Sequence, residues 1–124
     1  MVLGMLYEAD VRGDSIGDVV ANQVLEPPPY AMTLLQGIAE HLDDVDALLR
    51  RNARDWALER MPVIDRNVLR LAVYELVHRP DVPTGAVLSE AVELASRYST
   101  ADSGRFVNGL LATIAKETRS DPSH

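Results

Sequence analysis

The sequence predicts an all-α fold of about seven helices in one domain. Apolar residues recur at helical spacing through most of the 124 residues, and no segment alternates apolar and polar residues for long enough to indicate a strand. With 47% hydrophobic residues, a chain of this length can bury about two thirds of its unfolded surface, which is enough for one ordinary core.

The first two helices are bounded by a glycine and by a run of prolines. The apolar pattern predicts a first helix over residues 2–12 that ends before Gly13, a residue suited to a helix C-terminus. Asp14 or Ser15 is expected to open a second, short helix. The prolines at 27–29 end it, because proline disfavours helix in the residue before it.

Two more helices are predicted before Pro62. Residues 30–42 have apolar side chains at helical spacing, which predicts an amphipathic helix. Asp43 is expected to cap the next helix, which runs to about Trp56.

The C-terminal half is predicted to contain three helices. The helix over residues 63–78 is apolar around most of its circumference, so we expect it to be the central helix. Thr84 is expected to cap a helix that runs to about residue 98. The last helix is predicted over residues 102–118, and residues 120–124 are expected to form a disordered tail.

The charge of the chain is concentrated at its start. Residues 1–49 contain nine acidic residues and one basic residue, whereas residues 50–124 contain ten acidic and eleven basic residues. The acidic half favours a basic protein partner or solubility, and the balanced half can still form a local basic face. The absence of cysteine, of a signal pattern and of a long apolar run predicts a cytoplasmic protein with no disulfide and no membrane association.

No pattern of residues indicates an enzyme, a metal site or a cofactor. The three histidines have no second histidine or cysteine at ligand spacing: His41, His78 and His124. The acidic cluster at 43–46 lacks the glycine turn and the distal glutamate of a calcium loop. No glycine-rich phosphate loop or serine elbow is present.

The segment that opens the last helix is the strongest candidate for ligand binding. The run Asp102-Ser103-Gly104-Arg105-Phe106 places an acid, a hydroxyl, a cation and the only phenylalanine together. Unpaired N–H groups at a helix start attract phosphate, and a ring beside an arginine can stack on an unpaired base. The alternative is an N-terminal turn followed by a phenylalanine of the core.

Arg70 is unusual because it lies between Leu69 and Leu71 in an otherwise apolar helix. A guanidinium is retained in such a place only if it is paired or serves a ligand. One interpretation is structural pairing with a buried acid, Glu75 or Glu90. The other is contact with a phosphate at the rim of the helix.

A series of short motifs then follows in order along nearly the whole chain. They are Leu6-Tyr7-Glu8, Tyr30 with Leu34-Leu35-Gln36-Gly37, Trp56 with Arg60-Met61-Pro62, Asp65-Arg66-Asn67-Val68-Leu69-Arg70, Tyr74-Glu75-Leu76, Asp81-Val82-Pro83, Glu90-Ala91-Val92-Glu93-Leu94-Ala95 and Phe106-Val107-Asn108-Gly109-Leu110. Together they resemble the NusB family of bacterial transcription antitermination factors. Each motif alone is weak, but the combination is specific.

The resemblance implies two small packed helical bundles that form one RNA-binding domain over residues 1–119. It implies binding of the boxA element of nascent ribosomal RNA leaders together with NusE, which is ribosomal protein S ten. It also implies membership of the antitermination complex of Nus factors and RNA polymerase, which reads through terminators.

The resemblance also assigns residues to the two partners. In the family, the residues that open the last helix contact RNA, which implies RNA binding by Asp102, Ser103, Arg105 and Phe106, with Arg70 and Tyr7 as further candidates. The acidic start of the central helix contacts NusE, which implies partner binding by Glu59 and Asp65. Asn108 and Gly109 are expected to serve packing, since glycine lets helices approach closely.

The sequence departs from the family at its N-terminus. The family usually begins with an arginine-rich stretch that leads into the first helix and supplies phosphate contacts. Here the chain opens at Met1-Val2-Leu3-Gly4 without a capping residue. We therefore expect a first helix truncated at its N-terminus and weak RNA binding in the absence of NusE.

Three alternatives to this function remain open. The domain type also resembles the one attached to ribosomal RNA cytosine methyltransferases, although this chain has neither a cysteine nucleophile nor room for a nucleotide-binding α/β domain. A second alternative is a self-associating module, in which apolar residues of the NusE surface pair two copies into a homodimer. The third is a helical domain without an RNA role.

Overall fold

The computed structural model describes residues 2–119 and confirms the predicted all-α fold. Met1 and residues 120–124, where a disordered tail is predicted, lie outside the described residues. The described part forms six α-helices and one short 3-10 helix: α1 (Val2–Arg12), α2 (Ile16–Ala21), α3 (Pro29–Asn52), the 3-10 helix Leu58–Arg60, α4 (Val63–His78), α5 (Thr84–Tyr98) and α6 (Ala101–Thr118). None of these helices is long and apolar enough to cross a membrane.

The helices form two groups that share α4. Helices α1, α2 and α3 pack on one another, and α5 packs along α6. Helix α4 contacts α1 and α3 on one side and α5 and α6 on the other. It is therefore the central helix, as its apolar circumference predicts.

Helix α3 corrects the prediction of two helices between residues 30 and 56. It is continuous through Asp43, so the predicted cap at that residue is wrong, and it ends at Asn52. Its buried positions keep helical spacing across the expected break: Leu35, Ile38, Val45 and Leu49. Because this apolar face packs against α4 without interruption, it outweighs the local capping tendency of an aspartate.

Proline, and not threonine or aspartate, stands at the starts of α3, α4 and α5. Pro28, Pro62 and Pro83 each precede a helix, and each carbonyl oxygen accepts a hydrogen bond from the N–H four residues on, at 3.0 to 3.1 Å. The predicted cap at Thr84 is wrong, because this residue is the first of α5 and Pro83 holds the capping position. Ser15 does cap α2, as one of the two expected residues, by accepting a hydrogen bond from the Asp18 N–H at 3.0 Å.

The end of α4 is closed by a side chain from the end of α6. The Arg119 guanidinium donates to the carbonyl oxygens of Glu75, Leu76, Arg79 and Val82 at 2.6 to 3.1 Å. One of them, the Leu76 carbonyl in the last turn of α4, has no partner within the helix. Arg119 therefore joins the two ends of the C-terminal helical group.

Candidate nucleic-acid interface

A cleft of about 380 Å³ lies where the end of α3 and the loop after it face α6. We call it the aromatic cleft and define it by Arg54, Trp56, Arg105, Phe106 and Gly109. It is the site at which the predicted RNA-binding segment meets the rest of the chain.

The two rings of the aromatic cleft hold each other in place. Phe106 and Trp56 meet edge to face, with ring centroids 4.8 Å apart and planes at 64°. Both side chains are half-buried and pack against the hydrophobic core. The sequence left two interpretations of Phe106, a core residue or a ring that stacks on a base. The structure is compatible with both, because Phe106 packs on the core and still presents ring surface to the cleft.

Two guanidinium groups flank these rings without being neutralised. Arg105 lies 3.9 Å from Asp102, but the two side chains are 89% and 93% exposed, so this pair contributes little. Arg54 is exposed and makes no hydrogen bond or ion pair with any residue in the range 2–119. Both cations can therefore reach a phosphate, and Asp102 can accept a hydrogen bond from a base or sugar.

Ser103 lies beneath the surface at the start of α6. Its residue is 5% exposed, and its hydroxyl donates to a carboxylate oxygen of Asp65 at 2.8 Å. The Thr100 hydroxyl accepts from the Ser103 N–H at 3.1 Å and caps the helix, which begins at Ala101, one residue before the predicted start. Ser103 therefore attaches the first turn of α6 to Asp65 and does not present its hydroxyl to solvent.

Asp65 connects this turn to the first turn of α4. It is 1% exposed, and its second carboxylate oxygen has no hydrogen-bond partner within the described residues. A buried acceptor left without a donor destabilises the fold, so the single bond from Ser103 is the main compensation for this carboxylate. The start of α4 and the start of α6 are thus linked through one hydrogen bond.

Glu59 occupies a different position from Asp65. Its carboxylate is exposed and accepts a hydrogen bond from Arg50 at 2.7 Å. That hydrogen bond lowers the pKa of Glu59 below its ordinary value. An ionised carboxylate, paired with Arg50, is therefore exposed at the turn before α4.

Arg70 lies in a buried network that joins three helices. Its guanidinium donates to both oxygens of Asp46 on α3, at 2.8 and 2.9 Å, and to Asp10 on α1 at 3.0 Å. Arg66 donates to the same Asp10 at 2.7 and 2.8 Å. Burial opposes ionisation of Asp10, but hydrogen bonds from Arg66 and Asn67 outweigh it and lower its pKa.

The structural interpretation of Arg70 was right about pairing and wrong about the partner. Glu75 turns toward Glu90 of α5, and burial together with the Glu90 charge raises the pKa of the Glu75 carboxyl. The true partners, Asp10 and Asp46, come from helices that pack against α4 and lie far from it in the sequence.

Of the six residues predicted to bind RNA, the structure brings Asp102, Arg105 and Phe106 to one exposed corner. Tyr7 is partly exposed on α1, outside the aromatic cleft, and Arg70 is enclosed by carboxylates. The expectation that Gly109 and Asn108 serve packing is wrong, because both are exposed and a side chain at Gly109 would meet nothing within 4 Å.

Sequence reasoning missed Arg54 and Trp56 as parts of the site. Trp56 belongs to one of the family motifs, and Arg54 belongs to a group of arginines at 50–54. Neither pattern says which other segment they face, since the cleft forms only when α6 packs beside the end of α3.

Comparison with known proteins gives a family match over most of the chain. The model of the NusB family matches residues 1–116. The transcription antitermination protein NusB of Salinispora tropica is 46% identical over 121 residues, which covers 92% of this chain and 89% of that protein. The protein of the same name from Acidothermus cellulolyticus is 44% identical over 116 residues, which covers 90% of this chain and 80% of that protein.

Solved structures are similar over nearly the same span. The NusB structure from T. maritima has a TM-score of 0.85 and 38% identity, covering 94% of this chain and 86% of that one. A structure of the antitermination factors NusB and NusE in complex with dsRNA has a TM-score of 0.79 and 28% identity, covering 94% of this chain and 91% of that one.

Proposed function

This chain belongs to the NusB family, and from that premise we propose that it is a transcription antitermination factor that binds boxA RNA of ribosomal RNA leaders together with NusE. It acts in the cytoplasm, within the complex of Nus factors and RNA polymerase, and is not an enzyme. The observation that carries the proposal is the aromatic cleft, where half-buried rings lie between two guanidinium groups without strong ion pairs.

The aromatic cleft supplies the chemistry that single-stranded RNA needs. A base stacks on the exposed surface of Phe106, which Trp56 holds in a fixed orientation. Arg54 and Arg105 contact the phosphates on either side, and Asp102 accepts a hydrogen bond from a sugar hydroxyl or a base amino group. Tyr7, on another helix, extends the RNA path beyond the cleft.

The NusE surface is proposed at the start of α4. Glu59 displays an ionised carboxylate there, which suits a basic ribosomal protein because complementary charge speeds association and orients the partner. Asp65 is buried in the first turn of α4, and it links that turn to α6 through the hydrogen bond from Ser103. Ser103 and Arg70 therefore serve RNA binding by positioning the helices that carry the contacts.

The test is a boxA RNA binding assay, with and without NusE, that compares the unaltered chain with Phe106→Ala. Loss of a stacked base should weaken binding by about 1–3 kcal/mol. Tyr30→Ala is the matched control, because Tyr30 is an exposed ring outside the aromatic cleft. No binding by the unaltered chain with NusE present would overturn the function, whereas full binding by a folded Phe106→Ala variant would overturn only the site.

A further inference from the structure

Six glycines lie in helices of the described chain, and three of them, Gly4, Gly17 and Gly85, stand within the first three residues of a helix. Of the three that lie further inside a helix, two are explained by close packing. A side-chain carbon at Gly37 would collide with the Tyr74 hydroxyl, and one at Gly104 would collide with the Ser96 hydroxyl. Glycine at these two positions lets neighbouring helices approach. Gly109, in the middle of α6, has nothing within 4 Å of the place where a side-chain carbon would stand.

The backbone at Gly109 gives no other reason for a glycine. Within residues 2–119, only Gly13 has a positive φ, at 72°, so Gly109 has an ordinary helical conformation that any residue adopts. Glycine in the middle of a helix is destabilising relative to alanine because it loses more conformational freedom on folding. In the isolated chain, this residue therefore weakens α6 without any compensating contact.

The position of Gly109 in the aromatic cleft explains why this residue is a glycine. It lies three residues after Phe106 and four after Arg105, so all three share one face of α6. One turn further on, the Thr113 hydroxyl donates to the Gly109 carbonyl oxygen at 3.2 Å, which holds that side chain against the helix. A strip of bare helix backbone is left open beside the Phe106 ring.

We infer that Gly109 is an RNA-contacting residue, on whose bare backbone an unpaired nucleobase lies beside Phe106, with its flanking phosphates at Arg54 and Arg105. This inference rests on the proposed function. A base is flat and carries polar edges, so it needs an unobstructed surface next to the ring on which it stacks. A methyl group at position 109 would stand in that space.

The occupant is RNA and not a protein segment because of what surrounds the strip. Two cations without strong partners border it, and a half-buried ring forms its end. Phosphate contacts from arginine and stacking on an aromatic ring are the two contacts that single-stranded nucleic acids use most. Two exposed carboxylates, Asp55 and Asp102, also lie at this corner and can accept hydrogen bonds from sugar hydroxyls or base amino groups.

The experiment measures thermal stability and boxA affinity, in complex with NusE, for Gly109→Ala and Gly109→Leu. The two quantities should move in opposite directions. The melting temperature of Gly109→Ala should rise by roughly 2–5 °C because alanine favours the helix. Its RNA affinity should fall about five-fold or more, and Gly109→Leu should lose more.

Gly85→Ala is the matched control, because Gly85 is also open on a helix surface but lies outside the aromatic cleft. It should bind boxA like the unaltered chain. Equal RNA affinity of the unaltered chain and both Gly109 variants would overturn the inference while leaving the proposed function intact. Weaker NusE binding with unchanged RNA affinity would also overturn it, because the bare backbone at Gly109 would then contact NusE and not RNA. Absence of boxA binding by the unaltered chain would instead overturn the proposed function.

Discussion

Two regions of the molecule use arginine in opposite ways. In the network of α1, α3 and α4, Arg66 and Arg70 are enclosed by the carboxylates of Asp10 and Asp46. In the aromatic cleft, Arg54 and Arg105 project into solvent with no strong partner among the described residues. Enclosed guanidiniums fix how helices pack, whereas open ones can exchange water for a phosphate. The same residue type therefore serves structure in one region and, in the function proposed above, RNA recognition in the other.

The largest loss of stability should come from disrupting the arginine–carboxylate network of α1, α3 and α4. Arg70→Met leaves Asp46 buried without its partner and removes one of the donors to Asp10, which should lower the free energy of unfolding by about 3–5 kcal/mol. Denaturant unfolding measures this, and Arg54→Met should stay within about 0.5 kcal/mol of the unaltered chain. If Arg70→Met is as stable as the unaltered chain but binds RNA poorly, Arg70 contacts RNA as the exposed arginines of the aromatic cleft are proposed to do.

The link between α4 and α6 should give an intermediate effect. Ser103→Ala removes the donor to the Asp65 carboxylate and should lower stability by about 1–3 kcal/mol. It should also weaken boxA binding, because the first turn of α6 carries Asp102 and Arg105. Thr113→Ala, which removes a hydroxyl bonded within α6 only, is the control for stability. Unchanged stability and binding in Ser103→Ala would show that the link does not position α6.

The exposed arginines of the aromatic cleft should affect the salt dependence of RNA binding. Arg54→Met and Arg105→Met should each reduce the slope of log affinity for boxA against log salt by about 1, since each removes one phosphate contact. Arg97→Met removes an exposed arginine of α5 and should leave the slope unchanged. A slope that does not change in either cleft variant would contradict the phosphate role.

The smallest effect should appear at low pH. The folded state lowers the pKa of Asp10 below its ordinary 3.8, so the network stabilises the chain at and above that pH. That contribution should be lost as the pH falls through the lowered pKa. Asp10→Asn should remove this part of the acid dependence, measured as unfolding free energy between pH 5 and 2. An identical acid dependence in both chains would show that Asp10 is not held ionised by the network.

The sequence predicted most of the fold because apolar spacing is a local signal. Every predicted helix has a helical counterpart, and the error at Asp43 arose because a capping residue was weighed without the uninterrupted face that packs on α4. The prediction of Thr84 as a cap failed for a similar reason, since the preceding proline already fixes the helix start.

The sequence predicted only those residues of the candidate site that lie close together in the sequence. Asp102, Arg105 and Phe106 are close in sequence, so one segment indicated all three. Arg54 and Trp56 join them only through packing of α6 beside α3, which no local pattern encodes. The partners of Arg70 were missed because Asp10 and Asp46 belong to α1 and α3.

The Arg119 guanidinium has a consequence for synthesis of the chain. It donates to carbonyl oxygens from Glu75 to Val82, about forty residues earlier. While the ribosome is still adding α6, the Leu76 carbonyl in the last turn of α4 has only water to bond it. These hydrogen bonds therefore form only after residue 119 has left the exit tunnel, so the end of the central helix is completed by a residue from about forty positions further along the chain.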